Sequence, residues 1–252
     1  MAASNPPSSK ITDEHEQQFR EEGYFIVDHV ISDEHLELLR RVCGELIAET
    51  DDQIDREQWD QVREITHKGK RYFIDGAYDR RPDLGEFLFS NYMADICRAT
   101  IGPTAYLFKN QFVVKCADVG MKFGWHQDSG YIPEPHSPYL SCWCALDDVS
   151  ATNGTIDVLP WSRVGGSQIR THTRDENTSD LIGYTGEDPG VPVEVSAGGL
   201  AVFSSTTLHR SGANTSDRVR RAFLAQYSPE IMPFKEGTTR QAVPFLKDGL
   251  VL

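Results

Sequence analysis

Three residues stand out for their types and spacing. In Trp125-His126-Gln127-Asp128 a histidine and a carboxylate lie two apart, and on an extended strand residues i and i+2 project from the same face. One strand can therefore present both to a metal. His209 lies far downstream, just past the glycine-led apolar run Gly199-Leu200-Ala201-Val202-Phe203, a strand expected to run beside the first and supply a third ligand. Two histidines and one carboxylate on one face of an octahedral metal leave the opposite face open for a bidentate co-substrate and dioxygen. Arg220 follows eleven positions after His209, at the head of another β-rich run. A guanidinium there can pair in fork geometry with the far carboxylate of a dicarboxylate whose other end chelates the metal. Taken singly, an H-x-D pair, a strand-end histidine and an arginine beside Arg218 and Arg221 each have an ordinary structural explanation. Together they describe one site.

Such a site needs a stiff scaffold. After Pro103 the sequence runs as short β-rich stretches separated by Gly, Pro and Asn, at 104–115, 139–147, 155–159, 191–195, 200–203 and 221–228, which predicts an antiparallel sandwich or barrel. Asn153-Gly154 predicts a hairpin in which both turn residues take positive φ. Upstream the pattern is helical. Thr12 with Asp13 and Glu14 is a capped start and Gly23 a stop, so a helix over 13–22 is predicted. Tyr24-Phe25-Ile26-Val27 reads as a strand, and Ser32-Asp33-Glu34 as a second capped start from which Leu36, Leu39, Cys43, Leu46 and Ile47 repeat at helical spacing. Residues 50–80 read as irregular structure with a short helix, and a further helix is expected around 84–100. Residues 165–190 exceed an ordinary connection and predict a lid or specificity loop.

A length of 252 residues fits a single domain, expected over 12–252 behind a disordered lead at 1–11. A formal charge of −13 argues against nucleic-acid partners and anionic membranes, which leaves a small-molecule substrate. No apolar run approaches a membrane span, and MAASNPPSSK lacks the pattern of a secretory signal, so a cytoplasmic location is expected. Five cysteines, an odd number without scaffold spacing, fit a reducing compartment. Cys142 and Cys144, inside LSCWCAL, are expected as buried strand residues rather than zinc ligands.

The segments WHQDSGY, NGTIDVLPWSR, GGLAVFSSTTLH and HRSGANTSDRVRR, with a polar N-terminal helix ending in GYFIV, resemble the phytanoyl-CoA dioxygenase family of Fe(II)/2-oxoglutarate oxygenases. The resemblance runs from about residue 12 to 230. It implies a mainly β, double-stranded β-helix (jelly-roll, cupin-like) core with flanking N-terminal helices. It also implies His126, Asp128 and His209 on iron, and Arg220 on 2-oxoglutarate. By the same resemblance Trp143 lies beside the co-substrate, Ser211 donates to its carboxylate, and Gln111 faces it. The implied reaction consumes dioxygen and 2-oxoglutarate and releases succinate and carbon dioxide. In related halogenases a small residue stands where Asp128 stands, so the resemblance favours hydroxylation, with desaturation, epoxidation and ring formation left open. Where many relatives read Pro-Gly-Ser-His, this chain has Pro160-Trp161-Ser162-Arg163, which weakens any substrate inferred from them.

Substrate contacts are expected around the barrel mouth, from Tyr131, His136, the 165–190 loop with Arg170, His172 and Arg174, and the Lys68–Tyr72 stretch. Two other classes keep part of the pattern. A zinc or manganese cupin-like enzyme uses the same three ligands but leaves Arg220 unexplained, and a non-catalytic metal-binding barrel needs only the fold.

Overall fold

The computed structural model describes residues 11–58, 66–117, 122–175, 180–234 and 238–252. Residues 1–10 of the expected lead lie outside these, as do 59–65 and 176–179 of the expected irregular stretch and loop.

Helix α1 (Asp13–Glu22) starts and stops where its caps dictate. The Thr12 hydroxyl accepts from the His15 amide, and Gly23, at φ 79°, donates its own amide to the Phe19 carbonyl. Helix α2 (Asp33–Glu57), capped by Ser32, is longer than expected. Its buried face continues from Leu46 through Thr50 to Ile54, so the polar residues that suggested irregular structure occupy only its outer side. Three shorter helices follow, α3 (Ala77–Arg80), α4 (Gly85–Leu88) and α5 (Asn91–Thr100). The helix expected over 84–100 is thus broken near Ser90, whose hydroxyl accepts the Met93 amide and starts α5 afresh.

The rest is mainly β. One sheet runs β1 (Tyr24–Val27), β10 (Leu200–Ser204), β5 (Leu140–Ala145), β12 (Arg220–Ser228), β3 (Ala105–Lys115), β13 (Val243–Lys247) and β14 (Leu250–Val251), with β2 (Arg71–Asp75) also on β3. β2 falls in the stretch expected to be irregular. Its Tyr72 and Ile74 are buried on one side while Arg71 is buried on the other, and the flanking charges masked that alternation. A second sheet runs β4 (Phe123–His126), β11 (Leu208–Ser211), β6 (Ile156–Leu159) and β9 (Val191–Pro192). A small hairpin, β7 (Thr173–Arg174) with β8 (Leu181–Ile182), lies in the 165–190 loop. A helix α6 (Trp161–Val164) follows β6. The two sheets form the jelly-roll core with N-terminal helices on one side.

Alternation along the strands of the larger sheet divides its residues between two cores. Phe25, Phe112, Val114, Cys142, Cys144, Val202 and Phe223 pack under Leu39, Leu46, Phe87 and Met93 of the helices. Cys142 and Cys144 are buried thiols of β5, as expected, and burial pushes both well above the ordinary thiol range. The opposite face, with Trp143, Phe203 and Leu224, looks into the barrel. At Asn153-Gly154 only Gly154 takes positive φ, at 77°. The expected two-residue hairpin is instead a wider turn in which the Asn153 and Thr155 amides both donate to the Ser150 carbonyl. A Cβ at residue 154 would lie 2.7 Å from the Gly212 carbonyl oxygen, so glycine is required by that contact as well as by φ. Among the described residues no helix is long and apolar enough to cross a membrane.

Candidate metal centre and its cavity

His126 ends β4 and His209 is the second residue of β11, and the two are direct partners across an antiparallel pair. The third ligand therefore does not come from the Gly199-led strand. That strand, β10, belongs to the larger sheet, and the chain turns after Ser204 to place His209 in the smaller one. Nor does Asp128 lie on the strand of His126. β4 stops at His126 and Asp128 opens a 3₁₀ turn, but Gln127 stays extended at φ −113°, ψ 138° and keeps the carboxylate beside the imidazole. Ligand atoms of His126, Asp128 and His209 all lie within 4.8 Å of one another.

Each ligand is held by a partner of fixed polarity. A carbonyl can only accept, so His126 Nδ1–H donates to the Gly124 carbonyl (2.8 Å) and His209 Nδ1–H to the Thr207 carbonyl (3.2 Å). Both rings then keep an Nε2 lone pair for a metal. Burial, and then His209, hold His126 well below the ordinary imidazole range, which keeps that lone pair free of a proton. Asp128 Oδ2 accepts from Ser141 Oγ (2.6 Å) and Gln226 Nε2 (2.9 Å), both from the larger sheet. That leaves Oδ1, 3.7 Å from His209 Nε2, turned to the shared centre.

The segment between the ligands is pinned from the 165–190 loop. His172 Nδ1–H donates to the Arg170 carbonyl and its Nε2 accepts the Gln127 amide at 3.0 Å. The ring fills the space left by two glycines, since a Cβ at Gly130 would lie 2.5 Å from it and one at Gly183 2.6 Å. The Gln127 side chain returns the tie, donating to the Gln168 and Thr206 carbonyls and accepting the Arg170 amide.

At one end of the larger sheet three cations stand side by side. Arg71 on β2 and Arg220 on β12 are both paired with Lys115 of β3, and cross-strand partners share a face. All three are buried, at 4%, 0% and 3% exposure for Arg71, Arg220 and Lys115. Arg220 donates to the Val113 carbonyl (3.2 Å) and the Gly154 carbonyl (3.0 Å), and its guanidinium lies 5.5 Å from the Trp143 ring centroid. Its Nε, fully buried, has no hydrogen-bond partner among the described residues. Lys115 Nζ donates to Ser211 Oγ (2.8 Å) and to the Gly212 carbonyl. Burial first, then Arg220 and Arg71, push Lys115 down to about 6. Burial pulls Arg220 down to about 10. The neighbours of Arg220 do something else: Arg218 is exposed, and Arg221 is engaged by Asp147 at 2.5 Å.

A cavity of about 320 Å³ opens on the three ligands, and Gln111, Trp143 and Ser211 all line it. Of the expected substrate contacts among the described residues, Tyr131 lines the cavity and the others do not. His136 is tied to Ser129 Oγ and the Glu134 carbonyl. Arg170 and His172 hold the loop against Gln127, and Arg174 lies on the exposed strand β7. Lys68 is paired with Asp55, and Tyr72 donates to Asp51 on the helical side. The Trp161 motif is likewise structural. Trp161 packs over Gly23 while Ser162 donates to Glu22. Lys115, Ser141 and Gln226 were not expected. The two-residue alternation Gln111, Val113, Lys115 carries a signal for Lys115, because Gln111 fixes the inward face.

The family model described as phytanoyl-CoA dioxygenase matches residues 19–222. A phytanoyl-CoA dioxygenase domain-containing protein 1 from Danio rerio is 25% identical over 260 residues, covering 84% of this chain and 88% of that protein. Among solved structures, the non-haem alpha ketoglutarate dependent carbocyclase SnoK from nogalamycin biosynthesis superposes with a TM-score of 0.69 at 23% identity, over 90% of this chain and 88% of that one. The epimerase SnoN, solved with Fe3+, alpha ketoglutarate and nogalamycin RO, gives 0.64 at 20% identity, over 94% and 96%.

Proposed function

Because the chain belongs to the phytanoyl-CoA dioxygenase family, we propose that it is a non-haem Fe(II)- and 2-oxoglutarate-dependent oxygenase that hydroxylates a small-molecule substrate. His126, Asp128 and His209 would hold the iron. Arg220, Lys115 and Ser211 would take the far carboxylate of 2-oxoglutarate, with Trp143 and Gln111 along its length. The donor set fits the metal, since two neutral imidazoles and one carboxylate leave half of an octahedron open.

The observation that carries the reading is the cation row. Buried charges are normally paired, yet among the described residues the buried Nε of Arg220 has no partner, and Lys115 is pushed down first by burial and then by its cationic neighbours. A carboxylate at Ser211 would answer both. Bound Fe(II) with 2-oxoglutarate supplies oxidation of a substrate C–H bond by dioxygen, with succinate and carbon dioxide released. This chain's residues do the positioning. Ser141 and Gln226 aim Asp128, the Gly124 and Thr207 carbonyls set the imidazole tautomers, and Arg220 fixes the co-substrate's far end. Phe73, Phe108, Phe123 and Tyr139 give the cavity an apolar wall.

The test is anaerobic loading with Fe(II) and 2-oxoglutarate, which should give the weak visible charge-transfer band of a chelated 2-oxo acid. Admission of air should then form succinate. Absence of the band at saturating co-substrate would overturn the proposal.

A further inference from the structure

On the reading just given, the site also indicates what kind of substrate it takes. We propose that the primary substrate is a small carboxylic acid with an apolar body, its carboxylate held at the cavity neck by Arg240 and Lys109.

The neck is where the metal cavity meets an outer groove of about 410 Å³. The two share Asp75, Phe108, Lys109 and Arg240. At about 320 Å³ the inner cavity is at the small end of ligand sites, which run from roughly 300 to 1,000 Å³, and the co-substrate must occupy part of it. A substrate reaching the metal therefore extends through the neck.

Its chemistry follows from what it passes. The inner cavity is lined in part by Phe73, Phe108, Phe123, Ile132 and Tyr139, of which Phe108 is shared with the outer groove. The neck itself carries two cations against one acid. Lys109 Nζ is 3.5 Å from Asp75 Oδ1, a loose contact between two half-exposed groups. Arg240 stacks on Phe234 at 4.9 Å, and its buried Nε has no hydrogen-bond partner among the described residues. A guanidinium N–H shielded from water and left unpaired favours an anionic acceptor. Among the described residues that line the neck, Asp75 faces one of the two cations, which leaves the other to a further negative charge.

The co-substrate cannot be the anion that fills it. Lys109 and Lys115 lie on the same face of β3, six residues apart, which is about 20 Å along a strand. A 2-oxoglutarate anchored at Lys115 and Arg220 ends well short of Lys109. Lys109 is, however, the direct cross-strand partner of Gln226, whose side chain donates to Asp128. A carboxylate at the neck thus belongs to a molecule whose adjoining carbons lie over the metal ligands.

The test uses ω-phenylalkanoic acids of increasing chain length and the primary alcohols of the same skeletons. Binding is measured by calorimetry on the Fe(II)- and 2-oxoglutarate-loaded protein under anaerobic conditions, and again on the metal-free protein. At least one acid should bind, and more tightly than its alcohol by about tenfold or more, as expected for a charge-assisted pair. Arg240→Gln should remove most of that preference and Lys109→Met part of it. Arg240→Glu should reverse it in favour of the matching amine. The charge-transfer band, read in the same samples, reports separately on the co-substrate. If the band forms but acids and alcohols bind alike, or no acid binds, or the preference survives Arg240→Gln combined with Lys109→Met, the substrate assignment is wrong while the oxygenase reading stands. If the band itself never forms, the oxygenase reading fails.

Discussion

Replacing Arg220 by alanine separates a 2-oxoglutarate site from a generic metal barrel. Arg220 is fully buried, and truncating the partner of a buried, hydrogen-bonded charge typically costs about 2–5 kcal/mol. The surroundings favour the lower half of that range. Lys115 already reaches Ser211 from the neighbouring strand, and Arg220 is the second cause, after burial, of its depressed pKa. With Arg220 gone, Lys115 regains charge and takes over part of the carboxylate. A loss of about 2–3 kcal/mol corresponds to roughly 30- to 150-fold weaker 2-oxoglutarate binding, read as the midpoint of the anaerobic charge-transfer titration. Lysine at 220 should restore only part of it, since a point charge replaces a planar fork. Iron affinity should barely move, because Asp128 is aimed by Ser141 and Gln226 and the imidazoles by backbone carbonyls. A wild-type midpoint in Arg220→Ala would refute the reasoning, and so would a loss of iron binding as large as the loss of co-substrate.

Co-substrate affinity should be highest at or below pH 6. Lys115 titrates near 6 without an anion, a bound carboxylate raises it, and binding then takes up a proton, so affinity should fall by up to about tenfold per pH unit above 6. The slope should vanish in Lys115→Met. Gln226→Leu removes one of the two donors to Asp128 Oδ2 and should weaken Fe(II) binding about 10- to 100-fold in a chelator competition; an unchanged constant would mean that Ser141 alone orients the carboxylate. His172→Ala removes two hydrogen bonds and the ring between Gly130 and Gly183, and should cost about 1–3 kcal/mol in urea denaturation. Succinate shares the far carboxylate of 2-oxoglutarate but lacks the chelating end, so the two should raise the thermal midpoint of the metal-free protein comparably and diverge only once Fe(II) is added. A metal-free protein indifferent to both would argue that the cation row does not bind the carboxylate.

What was legible in the sequence were features that act locally. Thr12 and Gly23 fix both ends of α1 because a cap and a left-handed stop are chemical requirements of nearby backbone groups. The ligand types were legible for the same reason, since two imidazoles and a carboxylate carry their chemistry with them. How they meet was not. His209 faces His126 because the chain leaves one sheet and enters the other after Ser204, and no local pattern distinguishes that crossing from a longer β10. Lys115 was passed over because a lysine in a strand reads as solvated until its neighbours are known. Here those neighbours are Arg71 and Arg220, set by pairings between strands distant in sequence.

The 165–190 loop is expected as a lid or specificity loop, and its described residues also support the metal strand and the cation row. Asp180, itself buried, is the acid whose charge opposes both Lys115 and Arg71. It immediately precedes β8, whose Ile182 lies where a side chain at Gly124 would stand, 2.3 Å from that Cβ position. Gly124 in turn gives His126 its carbonyl partner. The same loop reaches Gln127, between the two ligands, through His172. Desolvation and the like charges placed opposite it on a buried face push Lys115 down to about 6, so acidic company favours its charged form. Asp180 supplies part of it on every molecule, and a dicarboxylate would supply the rest when bound. The described residues of this loop thus carry a counter-charge to the row and brace the strand that bears His126.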